Sequence, residues 1–339
     1  MSLQKKNNEN IFAVSTEKGE AVLREKSERA GKGKEKWKLI FRRILLNKEI
    51  YLMLLPVVVF YIVFSYVPMY GITLAWKDYW PSLGIEGSPW IGWENFRDLF
   101  ELEGFGQVFK NTITISLLRL VIAFPFPILV ALFLNEVLNS AYRKTVQTLI
   151  YLPNFISWVI LGSLVKMLLA EDGMFNNLIT LFGGDIIYFL QEDDMFYGIL
   201  LITEIWKGTG WGTIIYTASI AGIDGTLYEA AKIDGCTRFG LMFRITIPMI
   251  MPIITVMFIN QLSNVMNAGF DPIYNLYNKT IYEKADVIDT YVYRLLMDRH
   301  DYALSTAVGL FKTSINFVLL FGGNWLTRKI NGYSMFVID

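Results

Sequence analysis

Six long apolar segments divide this chain of 339 residues and constrain its fold more than any other feature. A helix needs about 20 mostly apolar residues to cross the hydrocarbon core of a bilayer. Hydrophobic residues make up 53% of the chain, against roughly 45–50% in soluble domains. We therefore predict an all-α, polytopic membrane protein with six transmembrane helices. The predicted spans are 50–76, 111–135, 145–169, 195–223, 245–270 and 302–327.

The distribution of charge gives these spans an orientation. Cytoplasmic flanks of membrane helices carry an excess of Lys and Arg. Residues 1–48 contain 13 basic and 6 acidic residues, whereas 77–107 contain two basic and six acidic ones. Segment 171–194 contains six acidic residues and no basic one. The pattern predicts that both termini are cytoplasmic, together with the loop at Arg143 and the loop at Lys232.

The chain is predicted to divide into a basic cytoplasmic tail, 1–48, and a six-span domain, 49–339. Apolar residues near the end of the tail recur at helical spacing with Lys and Arg between them, a pattern typical of an amphipathic helix at the membrane surface. The alternative is a docking site for another protein. The apolar positions are Trp37, Ile40, Phe41, Ile44 and Leu45.

Few side chains are suited to catalysis or metal binding. Cys236 and His300 are the only cysteine and histidine, so neither a disulfide within the chain nor a multi-histidine metal site is expected. The Gly-x-x-x-x-Gly-Lys-Ser/Thr phosphate loop is also absent from the sequence. We therefore expect no catalytic residue, no cofactor and no metal. Energy for any work that the chain performs must therefore come from a partner or a gradient.

A polar segment between the fourth and fifth apolar runs has the most specific pattern. It reads Glu-Ala-Ala-Lys-Ile-Asp-Gly at 229–235 and, nine residues later, Ile-Thr-Ile-Pro. Thr226 followed three residues later by Glu229 indicates a capping box, with Thr226 as the N-cap. Gly235 is expected to end this helix in a left-handed conformation. Thr237 is expected to cap a second short helix.

This segment resembles the EAA coupling loop, about 224–247 here, of permease subunits of binding-protein-dependent ABC importers. Glu229, Ala230, Ala231, Gly235 and the distal Ile and Pro match that pattern, and Ile247 replaces the usual Leu. The resemblance implies that the loop enters a cleft of a partner ATPase. The residues expected to couple to it are Glu229, Ala230, Ala231, Asp234, Gly235 and Arg238.

Other segments resemble sugar permeases of the maltose-importer superfamily, most of all the subgroup that handles oligosaccharides and polysaccharide fragments. The similar segments are Tyr-Val-Pro-Met-Tyr-Gly at 66–71, Ile-Gly-Trp-Glu-Asn-Phe at 91–96 and Ile-Trp-Lys-Gly-Thr-Gly-Trp-Gly at 205–212. The resemblance implies a type I importer fold in a bacterial plasma membrane. It also implies a second permease, an ATPase dimer that binds the ATP, an external solute-binding protein and an oligosaccharide substrate.

Polar residues of the fifth span suggest a path for such a substrate. Asn260, Asn264, Asn267 and Asp271 follow one another at spacings of four, three and four, which places them on one face of a helix. Amides offer both donors and acceptors to sugar hydroxyls. The alternative is hydrogen bonding between helices.

The fourth span adds Trp211, which either stacks on a sugar ring or sits in the aromatic belt of the membrane interface. On the same face, Glu204 and Lys207 are expected to form an ion pair within the helix. The glycines at 208, 210 and 212 indicate close packing or local unwinding. Three charged residues of the spans, Arg119, Lys166 and Lys312, either line a cavity, pair with carboxylates or reach toward the interface.

Two other classes of function are weighed against this one. A secondary transporter would show internal repeats and ion sites near the membrane midplane, and the sequence shows neither. A membrane-embedded enzyme would need a cluster of catalytic side chains, and the predicted spans contain no cluster of His, Asp and Glu. An ABC importer for a solute other than a sugar is the nearest alternative.

The predicted topology can be tested with single cysteines in a Cys236→Ser background. Cysteines at Glu86 and Asp193 should react with an impermeant thiol reagent added outside intact cells, because both lie in acidic, external loops. Cysteines at Lys144 and Lys232 should react only after the cells are opened. Labelling of the Lys232 position in intact cells would overturn the topology.

Overall fold

The structure, a computed structural model, describes residues 46–336. The chain divides into two compact units, Met1–Gly71 and Ile72–Asp339. The predicted amphipathic helix of the tail lies outside the described residues. The predicted domain boundary between 48 and 49 stays a prediction.

The described part of the chain is helical throughout, and within it extended strands pair only at an isolated bridge between Lys77 and Trp90. The first α-helices are α1 (Lys48–Tyr61), α2 (Gly84–Gly87), α3 (Glu94–Glu101), α4 (Phe105–Leu118), α5 (Pro125–Asn135), α6 (Ser140–Tyr151), α7 (Trp158–Leu168) and α8 (Met174–Leu181). The later ones are α9 (Asp193–Ala221), α10 (Gly225–Ile233), α11 (Arg238–Leu241), α12 (Ile247–Leu262), α13 (Phe270–Leu276), α14 (Tyr282–Ala285), α15 (Ile288–Asp298) and α16 (Tyr302–Asn331).

In residues 46–336, four continuous helical stretches are long and apolar enough to cross a membrane. They are Lys48–Trp76, Phe105–Asn135, Arg238–Leu262 and Tyr302–Asn331. A fifth candidate is the bent pair Ser140–Phe155 and Trp158–Leu168. The predicted fourth span is α9, whose 29 residues make a helix of about 44 Å. Its charged, Thr and Gly residues keep it below the apolarity of the others, so the count of six spans stays a prediction.

Proline shapes the continuous spans in a repeated way. The turns Ile62–Tyr66, Arg119–Ala123 and Met242–Thr246 are π-helical, and each is followed by a residue that directly precedes a proline. Phe124, for example, donates its N–H to the Arg119 carbonyl at 2.8 Å, five residues back. A proline ring clashes with the carbonyl four residues before it, and an inserted residue relieves that clash. The clash that Pro125 would cause is therefore relieved by a wider turn before it.

The third span is not the continuous helix that the sequence predicts for 145–169. α6 passes through a 3₁₀ turn, Leu152–Phe155, and the chain then bends by 99° before α7. Pro153 cannot continue the backbone ladder, and the hydroxyl of Ser157 starts a new helix by accepting the N–H of Ile160 at 3.3 Å. The predicted span is therefore broken.

The fifth span also ends earlier than predicted. Its helix stops at Leu262, residues 263–269 form turns, and α13 begins at Phe270. The prediction that residues 260–271 present one helical face is therefore wrong.

α9 is unbroken and packs against several other helices. Its Phe196 and Leu200 are buried with Ile115 of α4 and Ile273 of α13. Further along, its Tyr216 is buried with residues of α5 and α12. The close packing expected at the glycines holds at Gly210, where an added Cβ would lie 2.2 Å from the Ile150 carbonyl oxygen, and at Gly212 against Pro127; Gly208 faces open space.

Candidate functional site

The segment predicted to couple to an ATPase forms a compact helix–turn–helix. α10 begins after Asp224, whose carboxylate accepts the N–H of Thr226 at 2.9 Å. The predicted N-cap, Thr226, is therefore wrong, because the carboxylate of Asp224, two residues earlier, already caps the first turn. The backbone hydrogen bond from Thr226 lowers the pKa of Asp224. The stabilisation from this cap is present above the pKa of the unfolded carboxyl and is lost as the pH falls through the lowered value.

The end of α10 agrees with the sequence prediction. Gly235 has φ of +78°, and Cys236 donates its N–H to the Ala231 carbonyl at 2.9 Å. That bond spans five residues and closes a Schellman-type cap. The hydroxyl of Thr237 then accepts the N–H of Gly240 at 3.2 Å and starts α11, as predicted.

The surface of this element is apolar in part and open. Glu229, Ala230 and Arg238 are exposed, and Ile233 and Phe239 are 87% and 65% exposed. A groove of about 460 Å³ lies between α10 and the chain that follows it. The groove is lined by Ala231, Asp234, Gly235, Cys236, Thr237, Gly240, Arg244 and Ile245.

A second site is a cavity of about 270 Å³ between α4–α5, α9 and α12. It combines an apolar wall with an ion pair, two amides and two hydroxyls. The residues that line it are Arg119, Ala123, Phe124, Pro127, Glu204, Ile205, Gly208, Thr209, Gly212, Ile215, Tyr216, Met257, Asn260 and Gln261.

Glu204 pairs with Arg119 and not with Lys207, so the predicted ion pair within the helix is wrong. Arg119 Nε lies 2.6 Å from Glu204 Oε2, and its Nη2 bonds the other carboxylate oxygen. Lys207 Nζ donates to the carbonyl oxygens of Asn154, at 2.9 Å, and Ile156. These carbonyls belong to the break between α6 and α7, so Lys207 satisfies backbone groups that a bent helix leaves open.

Arg119 likewise donates to an open backbone carbonyl at the break in the fifth span. Its Nη1 donates to the carbonyl of Ala268. Ser116 donates to the carbonyl of Val265, and the side-chain oxygen of Asn316 accepts the N–H of Met266 at 2.9 Å. Irregular backbone at membrane depth is tolerated only where such partners are present. Of the two other charged residues predicted in the spans, Lys312 pairs with Asp289 and Lys166 is exposed.

The predicted substrate-path residues do not all come together. Asn260 lines the cavity. Asn264 instead donates to the carbonyl of Asn260 at 2.8 Å, and Asn267 donates to the side chain of Asn264 at 2.9 Å. Asn264, Asn267, Asp271 and Trp211 are exposed and are not among the lining residues. A role for them on the path stays a prediction.

Among the polar lining residues, Arg119, Glu204 and Thr209 were not predicted for the substrate path, although lining a cavity was one alternative for Arg119. Arg119 and Glu204 were visible as charges inside apolar runs, but their pairing crosses 85 residues of sequence. The third, Thr209, is buried, and its hydroxyl has no hydrogen-bond partner. No sequence pattern distinguishes Thr209 from the neighbouring threonines.

The segment between α12 and α16 contains an aromatic cluster around one ion pair. Arg294 bonds Asp286 through Nη1 and Oδ1 at 2.7 Å and lies 4.7 Å from the ring centroid of Tyr282 and 5.7 Å from that of Tyr291. Tyr277 is buried against Tyr282. These tyrosines therefore pack within the protein, around the ion pair.

Comparison with known proteins identifies the class. Residues 123–332 match the family model described as "Binding-protein-dependent transport system inner membrane component", and the chain belongs to this family. It is a sugar-type permease subunit of an ABC importer, a transport protein and not an enzyme, as the sequence predicted.

Individual relatives share most of their length with the chain. The polygalacturonan/rhamnogalacturonan transport system permease protein YteP of Bacillus subtilis (strain 168) is 44% identical over 87% of this chain and 92% of its own. Protein LplB of the same organism is 39% identical over 91% and 96%. A crystal structure of a bacterial alginate ABC transporter, in complex with an alginate pentasaccharide-bound periplasmic protein, contains a chain that is 40% identical. That chain superimposes with a TM-score of 0.80, covering 87% of this chain and 99% of its own.

Proposed function

We propose that this permease moves an oligosaccharide, a fragment of an acidic polysaccharide, that an external solute-binding protein delivers. The observation that supports this most is the mixed cavity beside α9. The Asn260 and Gln261 amides offer donors and acceptors for hydroxyls. The Glu204 carboxylate is neutralised by Arg119, so an acidic sugar meets no unpaired negative charge there. Two of the named relatives belong to systems described as transporting polygalacturonan/rhamnogalacturonan and alginate.

The remaining wall of the path is supplied, in this proposal, by a second permease subunit. The cavity of a single chain is open and small, about 270 Å³, below the roughly 300–1,000 Å³ of typical ligand pockets. A heterodimer would enclose a larger volume around the same polar groups.

The helix–turn–helix at 224–247 docks, in this proposal, on a dimer of cytoplasmic ATPase subunits, which bind the ATP. Exposed Ile233 and Phe239 form an apolar surface of the kind that marks a protein interface. The alanines of α10 have a low profile, which lets a partner surface approach closely. Glu229 stands beside them with its carboxylate free to meet a basic group. Both termini lie in the cytoplasm of a bacterium, and the chain lies in its plasma membrane.

The substrate can be tested with the complete importer in liposomes, together with its binding protein. ATP-dependent uptake of oligogalacturonate or of alginate pentasaccharide is expected, and galacturonate monomer should compete weakly. Stimulation of ATP hydrolysis by a binding protein loaded with an amino acid or a peptide, with no response to any saccharide, would favour the alternative of a non-sugar importer.

Docking on the ATPase is tested by Glu229→Lys. Reversing this exposed charge should release the ATPase during purification or abolish the ATP hydrolysis that the loaded binding protein stimulates. The matched control is Glu101→Lys, an exposed carboxylate at the end of α3 on the face predicted to be external. If the Glu229 variant assembles and transports like the Glu101 variant, the docking assignment is wrong.

The substrate path is tested by Thr209→Val, which keeps the shape of the side chain and removes a buried hydroxyl. If that hydroxyl bonds the sugar, uptake should fall several-fold, the effect of about 0.5–1.5 kcal/mol for one hydrogen bond. Stability should be unchanged or higher, because the hydroxyl has no partner within the protein.

The control for that change is Thr203→Val in the same helix. Thr203 is buried, but its hydroxyl already donates to the Ile199 carbonyl at 2.7 Å, and it does not line the cavity. Uptake should stay close to that of the unmodified importer. Equal uptake in the two variants would remove Thr209 from the path.

A further inference from the structure

Three segments of the chain meet at the guanidinium of Arg119. Two of its N–H groups hold the carboxylate of Glu204 on α9, and a third holds the Ala268 carbonyl in the turns after α12. We propose that Arg119 is a positioning residue for transport. It fixes the irregular segment 263–269 against α9 and thereby sets the place of Asn260 and Gln261 at the cavity. This inference rests on the proposed function of that cavity.

The chemistry of the contact requires arginine. A planar guanidinium presents several N–H groups in fixed directions, so it can bond a carboxylate through two atoms and a carbonyl through the third. A lysine supplies the same charge from a single flexible nitrogen. The side chains of Arg119 and Glu204 are only 11% and 13% exposed. A buried ion pair by itself is weak evidence for stability. The directional hydrogen bonds of Arg119 therefore explain its position better than its charge does.

Gly269 provides an independent sign that the backbone is built around this guanidinium. Its φ is +80°, and a Cβ placed on it would lie 3.1 Å from Cγ of Pro272 and 3.2 and 3.3 Å from the two terminal nitrogens of Arg119. A larger residue at 269 would therefore require these neighbours, the guanidinium among them, to shift. The absence of a side chain at 269 leaves room for the guanidinium beside the turn.

Backbone hydrogen bonds connect segment 263–269 to the residues that line the cavity. Ser263 donates its N–H to the Ile259 carbonyl at 2.8 Å, and Asn264 donates to the Gln261 carbonyl at 3.2 Å. Segment 263–269 thus continues directly from the last turn of α12, which carries Asn260 and Gln261. A shift at Ala268 is passed to these amides over fewer than ten residues of hydrogen-bonded chain.

The test compares Arg119→Lys and Gly269→Ala in the complete importer. Each single change should lower the maximal rate of oligogalacturonate uptake roughly tenfold, the scale of one charge-assisted hydrogen bond. Complex yield should remain near that of the control, Gly332→Ala. Gly332 has φ of +76° and open space around it, so its variant carries the same backbone strain without a displaced guanidinium.

The double variant identifies the cause. In an Arg119→Lys background the two crowding nitrogens are gone and only the contact with Pro272 remains, so Gly269→Ala should cause a much smaller loss there than it causes alone. Fully additive losses, or a Gly269 variant no worse than the Gly332 variant, would overturn the proposal.

A second measurement needs no sugar. In a Cys236→Ser background, a cysteine at Asn260 should react several-fold faster with a hydrophilic thiol reagent once Arg119 is replaced by Lys, because the end of α12 is released. An unchanged rate would count against positioning. If the unmodified importer takes up no saccharide while this rate still rises, the proposed substrate is wrong and the positioning role of Arg119 stands.

Discussion

Satisfaction of backbone hydrogen bonds at two broken helices is the constraint on which the rest of this structure depends. A bilayer core offers no water to an open carbonyl, so each break needs a partner from the protein. Lys207 supplies it for the break between α6 and α7, and Arg119, held by Glu204, supplies it for the break after α12. Both sets of bonds converge on α9. The unbroken 29-residue helix α9 therefore supports both broken spans, α6–α7 and the span that ends with α12.

This arrangement explains how charges inside apolar spans can be tolerated. A charged group in a membrane helix is expensive unless it faces a partner or water. Arg119 and Glu204 neutralise each other, and Lys207 is surrounded by carbonyl oxygens and lies 5.6 Å from the ring centroid of Trp158. The other polar residues that line the cavity are neutral: Asn260, Gln261, Thr209 and Tyr216. Such groups suit a ligand rich in hydroxyls, because they donate and accept without demanding a counter-charge.

The sequence predicts features that depend on local chemistry. Apolar length locates the spans, and Gly235 and Thr237 end and begin helices as their chemistry requires. Prediction from the sequence fails where an average conceals a local signal, and where the structure depends on residues that are far apart in the sequence. A hydropathy window averages across Pro153 and Ser157 and so conceals the bend in the third span. The spacing of Asn260, Asn264 and Asn267 fits a helical face, yet the helix ends at Leu262 because the carbonyls beyond it find partners elsewhere in the fold. The partners of Glu204 and Lys207 lie 85 and 53 residues away in sequence, beyond the reach of a pattern confined to one helix.

The coupling segment and the cavity are joined by short connections on both sides. α9 ends at Ala221, and only Gly222, Ile223 and the cap residue separate it from α10. On the other side, the Tyr228 hydroxyl of α10 lies 3.0 Å from the hydroxyl of Thr246, in the π-helical turn at the base of α12. α10 is therefore attached to the two helices that carry Glu204 and Asn260. Arg119 connects α9, through Glu204, to the segment that follows α12, through Ala268. The cavity therefore lies between the contacts of α10 at one end of α12 and the contacts of Arg119 beyond its other end.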